Sequence, residues 1–91
     1  SIRVDVAFMG ANGMSVGHGF STPDPSEAAV KRAMIATARQ VVVLADASKF
    51  DLDFLVSFAG IGDVHTLVTD SGISDAAADA LRDRGIQLVV A

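Results

Sequence analysis

The chain has 91 residues, of which 51% are apolar and none is cysteine, and its seven basic and eleven acidic side chains leave a net charge of −4. One domain is the most that this length supports, and folding at this size hides only about 60% of the surface that the unfolded chain exposes. The absence of cysteine excludes a disulfide framework and a thiolate zinc site, and the scattered lysines and arginines argue against a phosphate-backbone interface in this segment.

Residues 4–9 predict a first strand, apolar apart from Asp5, which breaks into Gly10, Ala11, Asn12 and Gly13 and then Gly17 and Gly19. Glycines there admit positive φ and a close approach of backbone to a ligand. A helix follows, with Asp24 as N-cap, Pro25 at the first helical position and Glu27 completing an Asp-x-x-Glu capping box. Glu27 and Lys31 are spaced to pair along it, and Val30, Ala33, Met34, Ile35 and Ala38 supply an apolar stripe as far as about Arg39. The run Val41, Val42, Val43, Leu44 then reads as a buried parallel strand whose carboxyl end opens into Asp46, Ser48 and Lys49. Residues 51–62, with Phe54, Leu55, Val56 and Phe58, fit a short strand, a turn of helix or a packed loop. Residues 65–69 predict a third strand. Ser74 caps a helix over 75–84, with Arg82 and Arg84 in its last turn and Gly85 beyond, and residues 86–90 predict a fourth strand.

Strands alternating with helices predict an α/β domain with a mostly parallel sheet of about four strands and right-handed crossovers. Two helices hardly cover both faces of such a sheet, and a mean hydropathy of +0.45 is high for a short chain. Both features predict that apolar surface awaits a partner, either missing chain on the N-terminal side or a neighbouring subunit, hence a homo-oligomer. No apolar run approaches the roughly 18 residues of a membrane helix and no signal peptide is evident, so a cytoplasmic domain without a membrane partner is expected.

In a parallel sheet the strand ends share one edge, where open α/β sheets bind ligands. That edge carries Gly10, Asn12 and Gly13 after the first strand, Asp46, Ser48 and Lys49 after the second, and Asp70 after the third. Backbone N–H groups, an ammonium, two carboxylates and an amide in one crevice would suit a phosphorylated polyol. Structural readings stand beside this one: glycine turns follow strands in any βα connection, Asp46 can cap the next turn, and Lys49 can sit in solvent. Neither G-x-G-x-x-G nor G-K-[ST] occurs, so no nucleotide cofactor is expected. His18 reads as a loop residue and His65 as structural, with no histidine or carboxylate set at metal spacing. Ser15, Ser21, Ser48 and Ser71 lack a matching His and Asp set for acyl transfer.

The segments F-M-G-A-N-G-M-S, H-G-F-S-T-P, E-A-A-V-K-R-A-M-I, V-L-A-D-A-S-K-F and V-T-D-S-G, in this order, resemble the C-terminal effector-sensing domain of DeoR-type bacterial transcriptional regulators. The resemblance covers nearly the whole chain. It implies a ribose-5-phosphate isomerase-like fold, a phosphorylated sugar or polyol as effector, and an N-terminal winged helix-turn-helix, absent from this chain, that binds operator DNA. By this resemblance the 91 residues would be the latter part of a sensor domain. The related isomerases share A-D-A-S-K, but their acid/base motif D-G-A-D-E reads here as Met9, Gly10, Ala11, Asn12 and Gly13, and their catalytic glutamate aligns with Lys31. Without a base to take the proton α to a carbonyl, the resemblance implies binding without catalysis. Asp46 and Lys49 would be inherited ligand contacts, while Lys31 would face phosphate or, the favoured reading, complete its pair with Glu27. An isomerase fragment and a structural oligomerisation module are the alternatives.

Overall fold

Side-chain alternation sets the first strand, β1 (Val4–Gly10), which buries Ala7 and Met9 on one side and leaves Val4, Val6 and Phe8 exposed on the other. The computed structural model describes residues 4–91. After β1 the chain forms an antiparallel hairpin of β2 (Gly13–Ser15) and β3 (Gly19–Thr22), both buried along their whole length. Met14 and Phe20, paired across this hairpin, are fully buried and draw it into the core. This corrects the expectation of an open glycine loop. The glycines serve close packing: a Cβ on Gly13 would stand 2.1 Å from the Leu52 carbonyl oxygen, and one on Gly19 (φ 78°) would stand 2.1 Å from that of Ala59.

Helix α1 (Pro25–Thr37) starts where its cap predicts, with Asp24 Oδ1 accepting from the N–H of Ser26 at 2.9 Å and of Glu27 at 3.3 Å. Only half of the capping box forms, because the Asp24 N–H donates to Thr22 Oγ1 at 3.3 Å and the Glu27 carboxylate turns to Lys31, 3.1 Å away. The helix ends two residues short of the expected Arg39, and β4 (Ala38–Leu44) begins without a loop. A 3₁₀ turn over Ala47–Lys49 follows, and the ambiguous stretch after it contains β5 (Val56–Ala59), which pairs antiparallel with β3. A second 3₁₀ turn, Ile61–Asp63, leads to β6 (Thr66–Thr69). Helix α2 (Asp75–Asp83) is capped by Ser74, whose Oγ accepts from Ala77 N–H at 3.1 Å, and β7 (Gln87–Val90) completes the described residues.

Two sheets result, a parallel one in the order β1-β4-β6-β7 and a three-stranded antiparallel one in the order β2-β3-β5. The fold is thus α/β with a four-stranded parallel sheet, as the alternation of strands and helices predicts, and the second sheet was not foreseen. In the parallel sheet Ala7 stands beside Val41, Met9 beside Val43 and Val43 beside Leu67, so one continuous face enters the core with Met14, Phe20, Phe58 and Leu81. His65 lies just before β6, and its Nδ1 accepts the Val41 N–H at 2.9 Å, the structural role expected of it.

Candidate functional site

The parallel register places Gly10 beside Leu44 and Leu44 beside Val68, so β1, β4 and β6 end side by side. From there the predicted residues do not share one crevice: Gly10, Asn12 and Lys31 line one cavity, Asp46 and Asp70 another, and Gly13, Ser48 and Lys49 line neither. Gly10 and Asn12 line a cavity of about 430 Å³ between the end of β1 and α1, together with Phe8, Glu27, Val30 and Lys31. Asp46 and Asp70 line another of about 320 Å³ at the ends of β4 and β6, beside Leu44, Val68 and Thr69.

In the first cavity Lys31 is already engaged. Its Nζ donates to the Gly10 carbonyl at 2.8 Å, pairs with Glu27 Oε1 at 3.1 Å and stands 4.8 Å from the centre of the Phe58 ring. The favoured ion pair of the sequence is therefore present, and a bond to the end of β1 accompanies it. The Asn12 N–H donates to the Ser21 carbonyl at 3.1 Å, and Gly13 is buried under Leu52. Asn12 therefore offers the cavity its side chain and not its N–H, contrary to the expected row of open N–H groups. Glu27 also lines this cavity, with a carboxylate that sequence reasoning assigned to the helix cap and the Lys31 pair and not to a site.

The second cavity is organised by Asp70. Its Oδ2 accepts the Ala47 N–H at 3.1 Å and its Oδ1 accepts the Gly72 N–H at 2.8 Å, which ties the turn after β6 to the turn after β4. Asp46 caps the 3₁₀ turn by accepting from the Ser48 N–H at 3.1 Å and from the Ser48 hydroxyl. That hydroxyl, foremost, holds the Asp46 carboxyl below its ordinary range. The Lys49 charge and the Ser48 N–H act in the same direction, and desolvation opposes them. Asp46, Ser48 and Lys49 thus lie on one turn with their charges coupled. Among the described residues no carboxylate lies within ion-pair distance of the Lys49 ammonium. Beneath this turn the Thr69 hydroxyl is buried without a hydrogen-bond partner among the described residues. No sequence signal marked it, because a threonine in an apolar strand reads as packing.

The remaining polar groups serve the hairpin. Ser15 Oγ donates to Asp53 Oδ1 at 2.5 Å and accepts the His18 N–H at 3.1 Å, while His18 Nε2 donates to the Phe54 carbonyl at 2.7 Å. The imidazole is turned to the backbone and not to the serine oxygen, so these residues hold the loop after Lys49 against β2 without forming a nucleophile and base. Among the described residues no group of three or more His, Asp or Glu side chains is placed to hold a metal ion.

The family model of the DeoR C terminal sensor domain matches residues 1–71. The HTH-type transcriptional regulator FruR of Bacillus subtilis is 46% identical over 69 residues, covering 76% of the chain and 28% of that protein. The HTH-type transcriptional repressor GlcR of Bacillus subtilis is 36% identical over 90 residues, 99% of the chain and 34% of the repressor. The HTH-type transcriptional regulator YgbI of Escherichia coli is 33% identical over 91 residues, all of the chain and 35% of the regulator. The chain thus spans about a third of the length of these relatives, and the part it matches is the sensor, not the DNA-binding module. With its α/β fold, strand-end turns and ordered motifs all in keeping with that match, the chain belongs to the family of DeoR C-terminal sensor domains.

Proposed function

We propose that this chain recognises a phosphorylated sugar or polyol for a DNA-binding regulator of transcription, and that the turn after β4 supplies the main charged contact. The observation that carries the reading is the contrast between the two lysines. Lys31 spends its ammonium on Gly10 and Glu27, whereas Lys49 lies near Asp46 without an ion-pair partner among the described residues. A cation on a strand-end turn, next to carboxylates that can accept hydroxyl hydrogen bonds, matches the two chemistries of a phosphorylated polyol. Asp46 and Asp70 take the hydroxyls, Ser48 holds Asp46 ionised, and Gly10, Asn12 and Lys31 shape the adjoining wall. Gly13 supports that wall from within.

The whole protein would bind operator DNA through a helix-turn-helix outside this chain, work in the cytoplasm as a homo-oligomer, and respond to effector by a shift between arrangements of its subunits. Binding proceeds without isomerisation. The positions where the isomerases carry acids hold Met9, which is buried, Asn12, Gly13 and Lys31, and the Glu27 carboxylate nearby is paired with Lys31.

Calorimetry of the full-length protein against a panel of sugar phosphates and their unphosphorylated counterparts tests the reading. A phosphorylated member binds, its neutral counterpart does not, and Lys49→Ala weakens binding by roughly 1.5 to 3 kcal/mol, the range for a hydrogen bond to a charged group. Equal affinity of wild type and Lys49→Ala for that ligand would remove Lys49 from the site. Turnover of ribose 5-phosphate would replace the sensor by an isomerase.

A further inference from the structure

Among the described residues four polar side chains are buried, those of Ser15, Ser21, Thr22 and Thr69, and three of them are bonded. Ser15 Oγ donates to Asp53 Oδ1, Ser21 Oγ accepts the Phe54 N–H at 3.0 Å, and Thr22 Oγ1 accepts the Asp24 N–H at 3.3 Å. Thr69, 4% exposed, is the exception, with a hydroxyl that meets neither solvent nor a partner. A buried polar atom left unbonded opposes folding, and native proteins keep few of them. We propose, on the reading of the chain as a sensor of phosphorylated sugars or polyols, that the Thr69 hydroxyl is a specificity-determining contact for the effector. The cavity at the ends of β4 and β6 then takes the hydroxyl-bearing part of the ligand, away from its phosphate.

Position supports this assignment. Thr69 is the last residue of β6, buried like Leu67 two residues before it, and it lines the cavity of about 320 Å³ beside Asp46 and Asp70. The neighbouring main-chain groups already have their bonds. The Thr69 carbonyl accepts the Ala91 N–H at 2.8 Å, the Val68 carbonyl accepts the Ala45 N–H at 3.1 Å, and the Ala47 N–H donates to Asp70 Oδ2 at 3.1 Å. The partner of the hydroxyl therefore comes from outside the protein. A turn of χ1 between staggered positions exchanges hydroxyl and methyl, which lets the hydroxyl meet a ligand while β6 stays in place.

The chemistry of the cavity selects which part of the ligand enters. Its polar side chains are two carboxylates and this hydroxyl, and among the described residues no cation lines it. A phosphate would meet two like charges there, whereas a polyol donates its hydroxyls to carboxylate and threonine oxygens. Asp70 has room for such bonds, because each of its oxygens takes a single N–H, from Ala47 and from Gly72. Lys49, on the adjoining turn and outside this cavity, is left for the phosphate. An effector analogue without the hydroxyl that meets Thr69 leaves a buried group unbonded, which is how such a site discriminates.

Calorimetry of the full-length protein tests the contact, with wild type, Thr69→Val and Thr69→Ser titrated with ribose 5-phosphate, ribulose 5-phosphate, glucose 6-phosphate and fructose 6-phosphate. Monodeoxy analogues of any sugar phosphate that binds are then compared. Expected is that Thr69→Val weakens binding about 10-fold, that Thr69→Ser stays within about 2-fold of wild type, and that one monodeoxy analogue binds wild type and Thr69→Val alike. Without ligand, Thr69→Val should melt no lower than wild type, since valine keeps the shape and removes the orphaned hydroxyl. Unchanged affinity in Thr69→Val, or a loss of equal size for the parent ligand and every deoxy analogue, overturns the proposal. A lower melting temperature of the ligand-free variant also overturns it, because the hydroxyl then serves the fold through a protein group or an internal water. Binding that responds to Lys49→Ala but not to Thr69→Val removes this contact alone, whereas failure of the whole panel to bind wild type removes the sensor reading with it.

Discussion

The ammonium of Lys31 donates to the carbonyl of Gly10 at 2.8 Å, so one side chain of α1 fastens the last residue of β1 across the mouth of the neighbouring cavity. The same ammonium meets Glu27, whose side chain is half exposed. Lys31→Met should cost about 1.5 to 3 kcal/mol, the range for a hydrogen bond to a charged group. Glu27→Gln should cost less than about 1 kcal/mol, as an exposed ion pair does. Urea unfolding of both variants checks the order, and an equal loss would mean that the Gly10 bond contributes nothing beyond the ion pair.

Gly13 is a packing position. In Gly13→Ala the new methyl group meets the Leu52 carbonyl at 2.1 Å, whereas at Gly17 nothing lies within 4 Å. Overpacking against backbone predicts a loss of about 3 kcal/mol at position 13, while Gly17→Ala stays within about 0.5 kcal/mol of wild type. Melting temperatures of the pair decide this, since similar values would place the backbone of residues 51–54 away from β2.

Val41 and His65 are bonded both ways, the Val41 N–H to Nδ1 at 2.9 Å and the His65 N–H to the Val41 carbonyl at 3.0 Å. Only the first bond uses the side chain, and Val41 is buried. His65→Ala therefore leaves a buried N–H without an acceptor and should cost about 1 to 3 kcal/mol. Faster exchange of the Val41 amide in the variant would accompany the loss, and unchanged exchange would contradict it.

Asp46 titrates below the ordinary aspartate value of 3.8, chiefly because of the Ser48 hydroxyl. A folded-state pKa below the unfolded one contributes stability that is in place above 3.8 and is lost as the pH falls through the lower folded value. In Ser48→Ala the carboxyl should titrate closer to 3.8, and the stability lost relative to wild type is present above that value and fades as the pH falls below it. Carboxyl carbon NMR titration of both proteins measures this, and identical midpoints would show that the hydroxyl does not act on Asp46.

Much of the framework was legible because local chemistry and tertiary packing agree. Asp24, Pro25 and Ser74 mark the helix starts, and the Val41 to Leu44 run marks a parallel strand, buried at Val41 and Val43 but exposed at Leu44, so the expected burial holds for one face only. The hairpin of β2 and β3 was hidden because its strands are short and their glycines read as loop, although Met14 and Phe20 were the signal that the stretch is buried. The same holds for β5, whose partner β3 is remote in sequence. At the candidate site the sequence placed Asp46, Ser48 and Lys49 on one strand-end turn, but it had no means of knowing that Asp70 clamps Ala47 or that Lys31 is spent on Gly10. Those are facts of tertiary distance, carried by no spacing along the chain.

Because the parallel strands lie in the same sequence in space as along the polypeptide, none of them has to wedge itself between two that have already joined. The sheet can therefore be laid down stepwise during synthesis, each newly made strand docking on the rim left by the one before.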